Sequence, residues 1–177
     1  MKKLLTLALF ATALMTGINA KAQETDDKSK RPSPPAKITE KINSGATISI
    51  DYSQPSVKGR IIGKDLEPMN GQVWRTGANE ATVFETDKDV TINGEKLPAG
   101  KYGLFTIFND DDVTVIFNKT WKQWGAFKYN DADDALRIKT KSEDQSSSTE
   151  KMTFEISAEG VITLLWGNKK VDFTVQK

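Results

Sequence analysis

Between Gln72 and Phe84 the chain reads QVWRTGANEATVF, a stretch crowded with side chains that could do chemistry together. Arg75 presents donors in a rigid fork that matches a carboxylate or a phosphate. Gly77 permits a tight bend that would return Asn79 and Glu80 to the side of the guanidinium. Trp74 can cover the cation or a ligand ring. The same residues also suit a structural part. Arg75 paired with Glu80 or Asp51 would be a clasp tying a loop to a sheet, and breaking it would cost about 3–5 kcal/mol if buried.

A second stretch, DYSQPSVKGR at 51–60, leaves an alternating segment at Asp51 and turns through Pro55. Pro55 fixes the backbone, and Lys58 and Arg60 are displayed just beyond it. That arrangement fits a loop presenting side chains, and equally an ordinary connection with solvated ends. Asp51 with Glu80 is the one carboxylate pair that qualifies for glycoside chemistry, which needs the two groups roughly 5–9.5 Å apart. In WKQWGAFKY (121–129), Trp124 and Phe127 fall on opposite sides at strand spacing. They read either as core aromatics or as a sugar-stacking face. NDDD (109–112) and DADD (131–134) lack the spaced oxygen ligands of a calcium loop. The first reads as a hairpin tip and the second as the acidic start of a helical turn; no metal site and no cofactor are expected.

Composition narrows the chemistry further. The 177 residues include no His and no Cys. Ser-His-Asp and Cys-His catalysis are therefore excluded, as are zinc, copper and haem sites built on those ligands. Catalysis would have to rest on carboxylates, Lys, Tyr, Ser or Arg. Without disulfides, stability must come from an ordinary hydrophobic core.

The elements that position these residues begin after a leader. Lys2 and Lys3 precede the apolar run LLTLALFATALMTG, and Ala20 and Ala22 give a small-x-small pattern. The run falls short of the roughly 20 residues that span a bilayer. Residues 1–22 thus read as a cleaved secretory signal, and the mature chain as exported to a periplasmic or extracellular compartment without a transmembrane segment. Removing the three leader lysines leaves 22 basic against 24 acidic residues. That balance, free of basic runs, gives no footprint for nucleic acid. Residues 23–36, QETDDKSKRPSPPA, are charged and proline-rich and read as a flexible, mobile or extended lead-in.

From residue 37 to 177 the periodicity is two, as in half-buried strands. ATISIDY places Ile48, Ile50 and Tyr52 on one face, and ALRIKTK, KMTFEIS and KVDFTVQ repeat the pattern. YGLFTIF (102–108) and VTVIF (113–117) are apolar on both faces and read as central strands. Asn93-Gly94 is a strong hairpin signal. LPAG (97–100), SAEG (157–160) and GNKK (167–170) read as further turns, and SEDQSSSTE (142–150) as a long solvated loop. Asn130 or Asp131 could cap the one short helical turn. The expected fold is all-β: a single, predominantly antiparallel sandwich or flattened barrel of roughly ten short strands.

Four separated motifs, DYSQPSVKGR, VWRTGANEAT, LPAGKYGLFTI and WGAFKY, together resemble a family of secreted bacterial proteins known as domain of unknown function 2911. The resemblance spans roughly residues 30–175 and implies an envelope location. It carries no assigned activity and no catalytic residues. Gln54 stands where the family pattern has a basic residue, and Val113 near where it often has an aromatic. The reading that follows is a non-enzymatic module for a polar small molecule, a glycan or an envelope protein, with Trp74, Arg75, Asn79 and Glu80 as its site and Asp51, Lys58 and Arg60 as neighbours. A carbohydrate-active enzyme using Glu80 with Asp51, and a purely structural or assembly domain, are the alternatives.

Overall fold

The computed structural model describes residues 27–177, so the leader read over 1–22 and the first residues of the lead-in lie outside the described residues. The chain forms β1 (Pro35–Lys41), β2 (Thr47–Ser53), β3 (Val73–Trp74), β4 (Thr82–Thr86), β5 (Val90–Ile92) and β6 (Glu95–Leu97). It continues through β7 (Gly100–Asn109), β8 (Asp112–Asn118), β9 (Asp134–Ile156) and β10 (Val161–Gln176). One antiparallel sheet runs in the order β1-β2-β4-β7-β8-β9-β10-β5-β6, with β3 added against β7. The ends, β1 and β6, do not pair, so the sheet stays open and is sandwich-like rather than a closed barrel.

The sheet folds over because β9 and β10 are long enough, at 23 and 16 residues, to pair first with one set of strands and then with another. Tyr52 on β2 thereby meets Phe154 on β9 edge to face at 5.0 Å. The Phe154 N–H donates to the Tyr52 hydroxyl at 3.3 Å. Ile48, Ile50, Phe84, Leu104, Phe117, Met152 and Val175 are almost wholly buried in the interior this creates. Burial of that kind is the main driving force for the fold. On the outer face, Phe105 and Ile116 pack with Ala81 and are covered by Ala126 and Tyr129 of the connection after β8. Hence β7 and β8 are apolar on both sides.

The turns follow the chemistry expected of them. Asn93 and Gly94, with φ of 48° and 89°, join β5 to β6. Asp110 and Asp111 join β7 to β8. Asn130 caps a 3-10 turn at Asp131–Asp133, its side chain accepting from the Ala132 N–H. Two segments depart from expectation. Residues 142–150 are not a loop but part of β9, paired to β10 at Glu143, Asp144 and Thr149. GNKK is not a hairpin either: β10 passes straight through it, with register shifts on both sides of Gly167. Gly167 holds φ at 59°, which inserts an irregularity while the pairing continues. Gln145 spans the irregularity, its amide donating to the Gly167 and Lys169 carbonyls at 3.1 and 3.2 Å.

The lead-in is also fastened where it is described. Residues 28–30 make a 3-10 turn, and Pro35 and Ala36 already belong to β1.

Candidate functional site

Residues 75–81 connect β3 to β4, and their path is set by packing from below. Trp74 is buried, with 1% of its surface exposed, and tilts against Phe108 at 6.3 Å. Its indole Nε1–H donates to the Gly77 carbonyl at 3.0 Å, which closes the bend. Gly77 is required by proximity rather than by its dihedral angles. A Cβ there would lie 2.9 Å from Thr82 Oγ1 and 3.2 Å from the Ser53 carbonyl. Thr76 carries the strain, with φ of 50° in a β-branched, fully buried residue. Its hydroxyl meets that of Thr106 at 3.1 Å, and its carbonyl accepts from Thr82 Oγ1 at 2.8 Å. Asn79 is left-handed as well, at φ 58°.

The clasp expected for Arg75 does not form. Glu80 is bound instead by Lys28 Nζ at 2.8 Å and by Arg31 Nη1 at 2.9 Å. Asp51 pairs with Lys37 at 2.9 Å. Both carboxylates are taken by cations of the lead-in and β1, which local spacing around Arg75 does not reveal. Arg75 is left with a buried Nε that has no hydrogen-bond partner among the described residues. Burial lowers its pKa, and the nearby charge of Glu67 works in the opposite direction. Arg75 remains a cation, because a guanidinium keeps its proton in proteins.

Arg75 lines a cleft of about 280 Å³ together with Trp74, Asn79, Arg60, Glu67 and Trp166. Arg60 reaches it from the connection after β2, where its guanidinium donates to the carbonyls of Ser56 at 2.7 Å and Val57 at 3.2 Å. Those carbonyls are neutral, and Arg60 makes no ion pair among the described residues. Pro55, buried at the same cleft, accepts from the Met152 N–H and so anchors this connection to β9. Glu67 accepts from the Met69 N–H at 2.8 Å. Two guanidiniums against one carboxylate leave the cleft net positive. Asn79 turns its amide to the Ser33 carbonyl at 2.9 Å, which seats the lead-in at the cleft edge.

Of the expected site residues, Trp74, Arg75, Asn79 and Arg60 come together around this cleft. Glu80 and Asp51 face an adjacent cavity of about 250 Å³. Glu80 is held ionised there. Burial acts to raise its pKa, but the hydrogen bonds from Lys28 and Arg31 prevail and bring it down to about 2. Lys58 lines neither cavity; its backbone N–H donates to Glu150 at 2.9 Å and its side chain is exposed. Glu67 and Trp166 are the residues that local spacing misses. Glu67 lies in a connection without periodicity, and Trp166 is a buried position of β10. Trp166 Nε1 donates to the Glu67 carbonyl at 2.8 Å, so the two are one unit.

The aromatic run 121–129 is not a strand. Gly125, at φ 62°, breaks any extended path, and both Trp124 and Phe127 emerge exposed, at 54% and 87%. Arg31 lies over the Trp124 ring at 5.6 Å. Tyr129 packs on Phe105 at 5.1 Å. Two carboxylates of the β7–β8 tip are used structurally: Asp111 pairs with Lys169 and Asp112 with Lys141, each at 2.9 Å. No helix among the described residues is long and apolar enough to cross a membrane.

The family model described as "Protein of unknown function (DUF2911)" matches residues 33–175. The chain matches no curated protein and no solved structure. On the extent of that match, the chain belongs to the DUF2911 family.

Proposed function

We propose that this DUF2911 member is an exported, non-enzymatic binding module whose Arg75 cleft takes a small acidic molecule, such as a carboxylate- or phosphate-bearing sugar. The observation that carries the reading is the buried, unpartnered Nε of Arg75. An orphaned buried donor costs about 1–3 kcal/mol, and a ligand acceptor would recover it. The neighbouring charge of Arg60 and the net positive cleft favour an anion. The volume of about 280 Å³ fits a group the size of one sugar ring. The left-handed Thr76 adds support, because strained backbone clusters where side chains must be aimed. Export rests on the leader read at residues 1–22, with the module acting in the periplasm or outside the cell.

A thermal-shift screen of uronic acids, sugar phosphates and small dicarboxylates tests the reading. Saturable stabilisation by an acidic ligand, absent with its neutral counterpart and lost in Arg75→Met, is the expected result. Equal response to the neutral counterpart, or retained binding in Arg75→Met, would overturn it.

A second reading draws on Asp51 and Glu80 lining one cavity. Two carboxylates in a groove suit glycoside chemistry, but a general acid there needs a raised pKa, and that of Glu80 is lowered. Glu80 would be left as nucleophile or base, beside an Asp51 that Lys37 already pairs. Turnover of an aryl glycoside that vanishes in both Glu80→Gln and Asp51→Asn would favour this enzyme over the binding module.

A further inference from the structure

Trp166 lines a second cleft, of about 220 Å³, whose chemistry differs from that at Arg75. Phe108, Leu164 and Trp166 form its floor, each less than a tenth exposed, and Ile62 closes it from the connection between β2 and β3. Water in such a space finds few partners, so an apolar group gains by replacing it. The rim is polar and unbalanced. Lys169 is the cation at the rim, and it is already shared between Asp111 at 2.9 Å and Asp144 at 3.1 Å. Asp110, also on the rim, makes no ion pair among the described residues. Asn70 holds the Asp110 N–H at 2.8 Å, which fixes the residue bearing that carboxylate. Among the described residues, Asp110 therefore stands unpaired at the mouth of an apolar cleft, beside an ammonium that Asp111 and Asp144 already share.

We propose that this cleft binds a small amphiphilic cation: a primary amine carried on an aromatic ring or a short branched alkyl group. The apolar part lies against Trp166, Phe108 and Leu164, and the ammonium faces Asp110. Charge selects the class. A carboxylate at the same end would meet uncompensated negative charge, and an alcohol would gain no ion pair. The site does not depend on the Arg75 reading: of the residues lining the two clefts, only Trp166 is shared.

Calorimetric titration of the protein with 2-phenylethylamine, 2-phenylethanol and 3-phenylpropanoate at low salt tests the proposal. The amine should bind saturably, about fivefold more tightly than the alcohol, with the acid weakest. Asp110→Asn should bring the amine down to the affinity of the alcohol and leave the alcohol unchanged. Asn suits the left-handed backbone at this position, φ 55°, so this variant folds. Ile62→Trp, which fills the cleft from its lid, should abolish binding of all three. The proposal is overturned if no ligand saturates, if the acid binds as tightly as the amine, or if Asp110→Asn leaves the amine affinity unchanged.

Discussion

Glu80 Oε2 lies 2.9 Å from Arg31 Nη1, a contact that joins the connection before β4 to a residue 49 positions earlier in the chain. Lys28 closes on the same carboxylate from 52 positions away. Glu80 is therefore the post to which the lead-in is tied, with the Asn79 bond to Ser33 as a second tie.

Replacing Glu80 by Gln should release residues 27–34 without unfolding the sheet. The carboxylate is partly exposed, so solvent screening limits the global loss to about 1 kcal/mol. Hydrogen exchange should speed up in the lead-in while β7 and β8 keep wild-type protection.

Acid should reproduce that release. The pKa of Glu80 is depressed from 4.5 to about 2, so the folded protein holds the Glu80 proton less tightly than the unfolded chain does. Its contribution is complete above the ordinary value, declines as pH drops below 4.5 and is gone once pH passes through about 2. Proteolysis with an acid-active protease between pH 4 and 2 should show cleavage near residues 27–34 rising over that window in the wild type, and already high throughout it in Glu80→Gln.

Arg75→Met should be neutral to stability, within about 1 kcal/mol of wild type, because it removes a buried donor that has no partner. A clasp would respond very differently, losing about 3–5 kcal/mol. Urea denaturation separates these outcomes cleanly.

Gly77→Ala should destabilise by about 1–3 kcal/mol, since the new methyl would press on Thr82 Oγ1 and on the Ser53 carbonyl. Pairing it with Thr82→Ala, which removes the nearer atom, should recover part of the loss. A double mutant no better than the single would place the strain at Ser53.

Much of the fold is legible in the spacing of its residues. Ile48, Ile50 and Tyr52 advertise a half-covered strand, and the doubly apolar β7 and β8 advertise the middle of the sheet. What escapes is physical in origin. Residues 142–150 are polar on both faces, so their strand character comes from pairing with β10 and leaves no alternation to read. Gly167 reads as a turn because a bulge and a turn need the same left-handed residue. The site was half visible: Trp74, Arg75, Asn79 and Arg60 meet, but the partners of Glu80 come from a segment whose composition reads as unstructured. Local spacing carries no record of such distant pairing.

The open ends of the sheet have a consequence for how copies of this protein meet. An unpaired strand is a template on which another chain can polymerise. Here β1 opens with Pro35, which offers no N–H, and shows Lys37 and Lys41 to solvent. At the other end β6 is three residues long, with Glu95 and Lys96 exposed. Strand-by-strand growth is thus resisted at both borders, and the protein should remain dispersed at concentrations where a bare edge would seed fibres.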